Sequence, residues 1–454
     1  LVVSSRRSTT TAPAEQREGS PSGSTPQRTR APWWLWAAAL AILVPVVVPV
    51  AGLLLRAFGA SEAAWQTLTS WRTVELVVRT LGFTALVTVS ATVIGVAGAW
   101  VVSRTDVRLR RFWGVGLALP LIIPSYVVAM VLISATGPRG LFADLTTIPL
   151  PHLVGLPGAW LALTLSTYPY VYLITTAALH RMDPTLEEAA RGLGANPAKV
   201  VRTVVLPQLR PAIGAGALLA ALYTLSDFGA VSLMRFDAFT RVIYAQYSGR
   251  LDRTPAIVLS LVLIAIALVV IAAEHRTRGK GTYFSHRPVR PPRIIRLTGP
   301  VRGAAHAFLA TVVTIGVGIP IAVLGAWLAR GVASGVDVAV PWGAVAGSLG
   351  GSSLAAAVAV VASVPIVVLA VRYASRSTTW LERSVYVAFS LPHITVAIAV
   401  VAFTVRYARP VYQSLAVLVI VYAAMFLAQA TGPAKASMLQ IDPRLDDASR
   451  SLGK

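Results

Sequence analysis

Cysteine is absent from the 454 residues, which excludes disulfides, thiolate metal sites and cysteine nucleophiles together. Histidine is sparse: His152, His180, His275, His286, His306 and His393 stand far apart and form neither an HExxH pattern nor any paired ligand spacing, so no resident metal is expected. Charge is scarce as well. Charged residues make up 13% of the chain, about half the usual globular share, whereas 56% are hydrophobic and the mean hydropathy is +0.69. A soluble domain of this length could not hide so much apolar surface, so the class is an all-α polytopic membrane protein. Acids are scarcest: 18 Asp+Glu face 40 Lys+Arg, a net charge of +22. Such an excess also suits a nucleic-acid binder, but here the basic residues sit in short loops between apolar runs and offer no continuous basic face. Membrane lipid, not nucleic acid, is the expected surrounding.

Residues 1–31 are rich in Ser, Thr, Pro, Gly and Arg and lack aromatics, the composition of a disordered tail. Ten apolar runs follow, at 33–55, 81–102, 112–133, 158–179, 212–234, 256–273, 304–329, 354–371, 385–405 and 411–430, each near the length of about 20 residues that crosses a bilayer. The first exceeds the apolar region of a signal peptide and reads as a retained helix. Placing the tail in the cytoplasm puts segments 104–111, 180–210, 274–303, 372–384 and 435–454 there too. With the tail they hold 29 of the 40 basic residues, the expected positive-inside bias. One outer loop, 235–254, resists, because it carries Arg235, Arg241, Arg250 and Arg253.

The chain repeats itself. Ser103-Arg104-Thr105 aligns with Ser375-Arg376-Ser377, and Leu119-Pro120 with Leu391-Pro392, at an offset of 272. DPTLEEAARGLG at 183–194 matches DPRLDDASRSLG at 442–453 at an offset of 259. The domains read as a first module at 33–273, with its core at 76–273 and this loop at 180–210. A basic cytoplasmic linker at 274–303 and a second module at 304–454 follow. Two parallel repeats generate a pseudo-two-fold axis along the membrane normal with a pathway between them. The second copy stops inside its loop, so the chain reads as a fragment, and two further spans, twelve in all, are expected of the intact protein.

In the repeated loop Asp183 is a good N-cap, Pro184 suits the first helical position, and Glu187 and Glu188 fall where the helix dipole favours acids. Leu186, Ala189, Ala190 and Leu193 form one apolar stripe. Gly194 closes the helix, and Asn196-Pro197 starts a second that runs to Pro207. Such a piece either packs back on its own bundle or presents its face to a partner.

Here the residues resemble a known family. Glu188-Ala189-Ala190, then Gly194, then Val204 with Leu206-Pro207, reproduce the spacing of the EAA loop of binding-protein-dependent ABC importer permeases with the type I permease fold. The resemblance implies a cytoplasmic coupling helix that sits in a groove of an ABC ATPase dimer, with Glu188, Ala189, Ala190 and Gly194 at the contact. In the second copy Asp447 replaces Glu and Ser449 replaces the second Ala, while Ala448 and Gly453 are kept, which implies a weaker contact. No GxxxxGK motif followed by Ser or Thr occurs in the chain, so ATP is expected to be used by a separate subunit, with no cofactor bound here and no enzyme activity of the chain's own.

Residues 223–254, with the SDFGA run at 226–230, resemble the corresponding region of fused two-repeat ferric-iron permeases. That resemblance implies Fe(III) import with delivery by an extracytoplasmic substrate-binding protein, in the bacterial cytoplasmic membrane. Thiamine permeases share the fused organisation, so thiamine or another small solute is the alternative; an ion-gradient-driven transporter would have no use for a docking loop in each repeat. Asp227 is the one acid inside a span of the first module, a candidate for the pathway or outer gate, or else a group solvated at its helix end or paired with a loop arginine. Arg241 and Arg250 are candidates at the outer face, against a plain solvated loop. Tyr168, Tyr170 and Tyr172 around Pro169 read as an interfacial aromatic belt.

Overall fold

A computed structural model of the chain describes residues 31–59, 61–138, 140–146, 151–182, 184–249, 253–277, 294–335 and 339–438. Residues 1–30 of the tail, most of the basic linker, Asp183, Arg250 and the second loop at 442–453 lie outside the described residues. The first half comprises α1 (Trp33–Gly59), α2 (Ser61–Thr69), α3 (Trp71–Arg104), α4 (Arg110–Ala118) with a 3-10 turn (Leu119–Ile122), α5 (Ser125–Ala135), α6 (Leu141–Thr146), α7 (Gly155–Arg181), α8 (Thr185–Gly192), α9 (Pro197–Val200), α10 (Leu206–Ser226), α11 (Gly229–Leu233), α12 (Phe239–Gly249) and α13 (Thr254–Thr277). The second half comprises α14 (Gly299–Val313) and α15 (Ile319–Ala333), joined by a π-turn, then α16 (Trp342–Arg372), α17 (Arg376–Ser390), α18 (His393–Tyr407) and α19 (Leu415–Met438).

Among the described residues six helices are long and apolar enough to cross a membrane, or eight if each of two bent pairs is one span. The protein is thus an all-α polytopic membrane protein. Several of the ten expected runs behave differently. The run at 385–405 is broken, because Leu391 and Pro392 take extended backbone between α17 and α18. The run at 158–179 forms α7, which at 27 residues reaches about 40 Å at 1.5 Å per residue but is diluted by Ser, Thr and Tyr. Its flanks are covered by protein, so it needs no lipid-facing apolar surface. The run at 112–133 is bent by 99° at Ile123-Pro124, where the proline ring keeps the preceding residue out of the helical region.

The element order long helix, short helix, proline break, short apolar helix, long helix recurs in the two halves. By helix ends the register differs from the sequence alignment: Arg104 ends α3 and Arg372 ends α16, while Pro124 and Pro392 precede α5 and α18. Both pairs are 268 apart, so Arg372, not Arg376, stands opposite Arg104. The offset of 272 sets Ser103-Arg104, at the buried end of α3, against Ser375-Arg376, at the start of α17, and so does not follow the helix ends.

α7 is the centre of the first half. α3 and α10 cross it at Val171, and both crossings need glycine: a side-chain carbon at Gly95 would fall 2.7 Å from Val171 Cβ and 2.9 Å from the Tyr168 carbonyl oxygen, and one at Gly216 would fall 2.7 Å from Val171 Cα. Small residues that let backbones approach are how membrane helices gain packing where lipid is as apolar as leucine. Tyr168 and Tyr172 are buried here, the latter donating from its hydroxyl to the Gly114 carbonyl at 3.2 Å. The expected aromatic belt is therefore interior packing.

The first helix of each half packs on the other half. Leu35, Ala39 and Leu43 of α1 join Ile366, Leu369, Leu381, Val385 and Leu427 of α16, α17 and α19. Reciprocally, Leu309 and Val312 of α14 enter the core of the first half, and Val323 of α15 packs against Val131 and Ala135 of α5.

Candidate functional site

The chain leaves α7 and turns directly into α8, with Pro184 as its N-cap, one residue later than the sequence suggested. The helix closes as expected. Gly194 takes φ +83°, its N–H donates to the Arg191 carbonyl at 2.9 Å, and the Ala195 N–H donates to the Ala190 carbonyl at 3.0 Å, a closure that a left-handed residue permits. Asn196 then caps the next helix by accepting from the Lys199 N–H at 2.8 Å. That helix does not stop at Pro207. It widens into a π-turn over Val201–Val205 and continues as α10 to Ser226. The wider turn leaves room for the Pro207 ring, which would otherwise meet the carbonyl one turn back.

The apolar stripe of α8 faces outward. Leu193 is 89% and Leu186 is 56% exposed, and Glu188, Ala189 and Gly194 are exposed with them, while Ala190 is half-buried. The inward face is polar. Glu187 is buried, accepting from Arg104 Nη2 at 2.7 Å, with Arg191 Nη2 3.7 Å from its other oxygen. Only 2% of the Arg104 side chain and 6% of that of Glu187 are exposed.

At the far end of α10 the helix breaks at Asp227. Its Oδ1 accepts from the N–H groups of Ala230 (3.0 Å) and Val231 (3.4 Å), its Oδ2 accepts from the Ser125 hydroxyl, and its carbonyl accepts from Thr240 Oγ1 at 2.6 Å. The residue is buried. Asp227 is therefore neither solvated nor paired with a loop arginine: it ties α5, α11 and α12 to the end of α10. Residues 235–249 are not an open loop, since α12 buries Phe239 and Ile243. Arg241 pairs with Asp237, and Arg79 of α3 approaches the same aspartate at 4.0 Å. Arg253 lies over the Tyr247 ring at 4.7 Å.

Residues 91–274 match the model of the family described as binding-protein-dependent transport system inner membrane component. Over 94% of its length the chain is 31% identical to the Fe(3+)-transport system permease protein FbpB 2 of Haemophilus influenzae, 82% of which is covered. The chain belongs to this permease family. It is a multi-pass inner-membrane component of an ABC importer, a transport subunit. It is also 25% identical over 92% of its length to the probable ABC transporter permease protein y4fN of Sinorhizobium fredii, 79% of which is covered. To the molybdenum transport system permease protein ModB of Mycobacterium tuberculosis it is 29% identical over 55% of its length, covering 96% of that protein.

Within this permease, sequence reasoning ranked Glu188 above Glu187 and used Arg104 merely as an alignment anchor. The missed signal was periodic. Glu187 and Arg191 are four apart on the face opposite the stripe, so an outward apolar face required an inward acid to find a base in the bundle.

Proposed function

We propose that this chain is the permease of an ATP-driven, binding-protein-dependent importer of ferric iron, and that α8 is its cytoplasmic docking helix for a separate ATPase subunit. The observation that carries the docking is the outward apolar face of α8 with its acid held inside. Leucines on one side of a short helix form a knob suited to a groove on a partner. On this reading Glu188, Ala189, Ala190 and Gly194 make the contact, and Leu206 and Pro207 lie in the helix that carries the motion into the bundle. Asp447, Ala448 and Gly453 take the same places in the second repeat. The tail and both loops lie in the cytoplasm, in keeping with the basic bias of those segments. The binding protein meets the opposite end, where α12 with Arg241 lies; Arg250, the residue after α12 in the sequence, joins that contact.

Iron is favoured by the resemblance of residues 223–254 and by the name of the FbpB 2 relative. Fe(III) prefers hard oxygen ligands, and Asp227 has both carboxylate oxygens occupied within the protein. The cargo then passes without a strong resident site. Two measurements test the proposal. Leu193→Arg should abolish co-purification of the ATPase subunit, and undiminished co-purification would sink the docking. Uptake of radiolabelled ferric iron by reconstituted vesicles should resist competition by molybdate, sulfate and thiamine and should cease on ATP depletion with the ion gradient held. Competition by molybdate would move the cargo to the oxyanions.

A further inference from the structure

The docking face of α8 is only as well placed as the buried face behind it, and that face rests on one ion pair. Arg104 is the last residue of α3, and its Nη2 donates to Glu187 at 2.7 Å. Its guanidinium carbon lies 5.9 Å from the Trp100 ring, its Nη2 also reaches Met182 Sδ at 3.8 Å, and its Nε has no hydrogen-bond partner among the described residues. Among the described residues Glu187 is thus the one acid that compensates this buried cation. Removing either partner would strand a charge in the interior.

The same turn is held from a second direction. Residues 294–297, which lead from the linker into α14, lie alongside it. The Ile295 N–H donates to the Arg104 carbonyl at 2.8 Å, the Asp106 N–H donates to the Ile295 carbonyl at 3.1 Å, and the Leu297 N–H donates to Asp106 Oδ1 at 2.7 Å. A helix's last carbonyls have no partner within the helix, and here the linker supplies one. The second repeat has an arginine, Arg372, at the matching helix end and an acid, Asp446, at the position matching Glu187; Asp446 lies outside the described residues.

From these contacts we infer that Arg104 is the positioning residue of the docking helix and that the inter-module segment 294–297 completes its seat. The first repeat's coupling helix is then held by a structure to which both repeats contribute. The inference rests on the proposed docking of α8.

The experiment is a double-mutant cycle on the full chain with the ATPase subunit present, reading the subunit's affinity in detergent and iron uptake per ATP hydrolysed in vesicles. Arg104→Gln and Glu187→Gln should each weaken ATPase binding by about tenfold, while the double substitution, which leaves no stranded charge, should recover to within about threefold of wild type. Arg104→Lys should fall between. Asp106→Ala should reduce coupling in the same direction, and Asp106→Asn, which keeps the accepting oxygen, should restore it. A double variant no better than the singles, or an Asp106→Ala variant coupled like wild type, would overturn the inference. Leu193→Arg separates the two ideas: if it still binds the ATPase, the docking reading fails whatever the cycle shows.

Discussion

Val171 is where two helices close on a third, and nothing larger than hydrogen fits between. At Gly95 the obstructing atoms include the Tyr168 carbonyl and the Tyr172 nitrogen, which cannot swing aside as a side-chain tip could. Gly95→Ala should therefore destabilise by about 1–3 kcal/mol, read as a lower unfolding temperature in detergent. Gly82→Ala, with no atom within 4 Å of the added carbon, should be near neutral and serves as the comparison. Asp227 differs in kind, because its value lies in three hydrogen bonds to its carboxylate. Asp227→Ala strands buried donors, a cost of about 1–3 kcal/mol, and the Ala230 and Val231 amides should lose hydrogen-exchange protection. Normal protection there would contradict the capping role. The sequence marked Asp227 as unusual, since an acid in an apolar run needs a reason. It could not distinguish a cargo ligand from a cap, because the decisive partner, Ser125, is 102 residues away.

At the scale of elements, local rules were legible where local chemistry decides. Gly194 and Asn196 end and restart helices as their backbone and side-chain preferences require. Gly194→Ala meets φ +83° and should cost about 1 kcal/mol, loosening the turn after α8. Faster hydrogen exchange at Gly194 and Ala195 checks it. The rest was not legible. Pro207 signals a stop in a soluble helix, yet the π-turn carries the chain past it. The tyrosines of α7 looked interfacial because hydropathy cannot know that a helix is surrounded by protein. The direction of the α8 stripe was undetermined, since a stripe has the same period whether it faces a core or a partner, and the exposure of Leu186 and Leu193 with the burial of Glu187 breaks the tie.

For the whole molecule, the repeat was legible in its polar loops, and the exchange of first helices between halves was not, because apolar faces carry no address. The absence of cysteine makes that exchange easy to test. A side-chain carbon placed at Gly116 of α4 would lie 3.8 Å from Val313 Cβ of α14, matching the mean separation of about 3.8 Å in a disulfide. Gly116→Cys with Val313→Cys should form an oxidant-dependent bond between the two halves. Cleavage at a protease site inserted in the linker should then leave the halves joined on a non-reducing gel. Separation would refute the exchange.

The exchange also has a consequence in time. α1 leaves the ribosome long before its partners in the second half: its last residue is Gly59, and α16 begins at Trp342, so at roughly 5–20 residues per second about 15–60 s of synthesis separate them. Throughout that interval the second-half residues that Leu35, Ala39 and Leu43 pack on have yet to be made, so this face of α1 reaches its place only late in assembly.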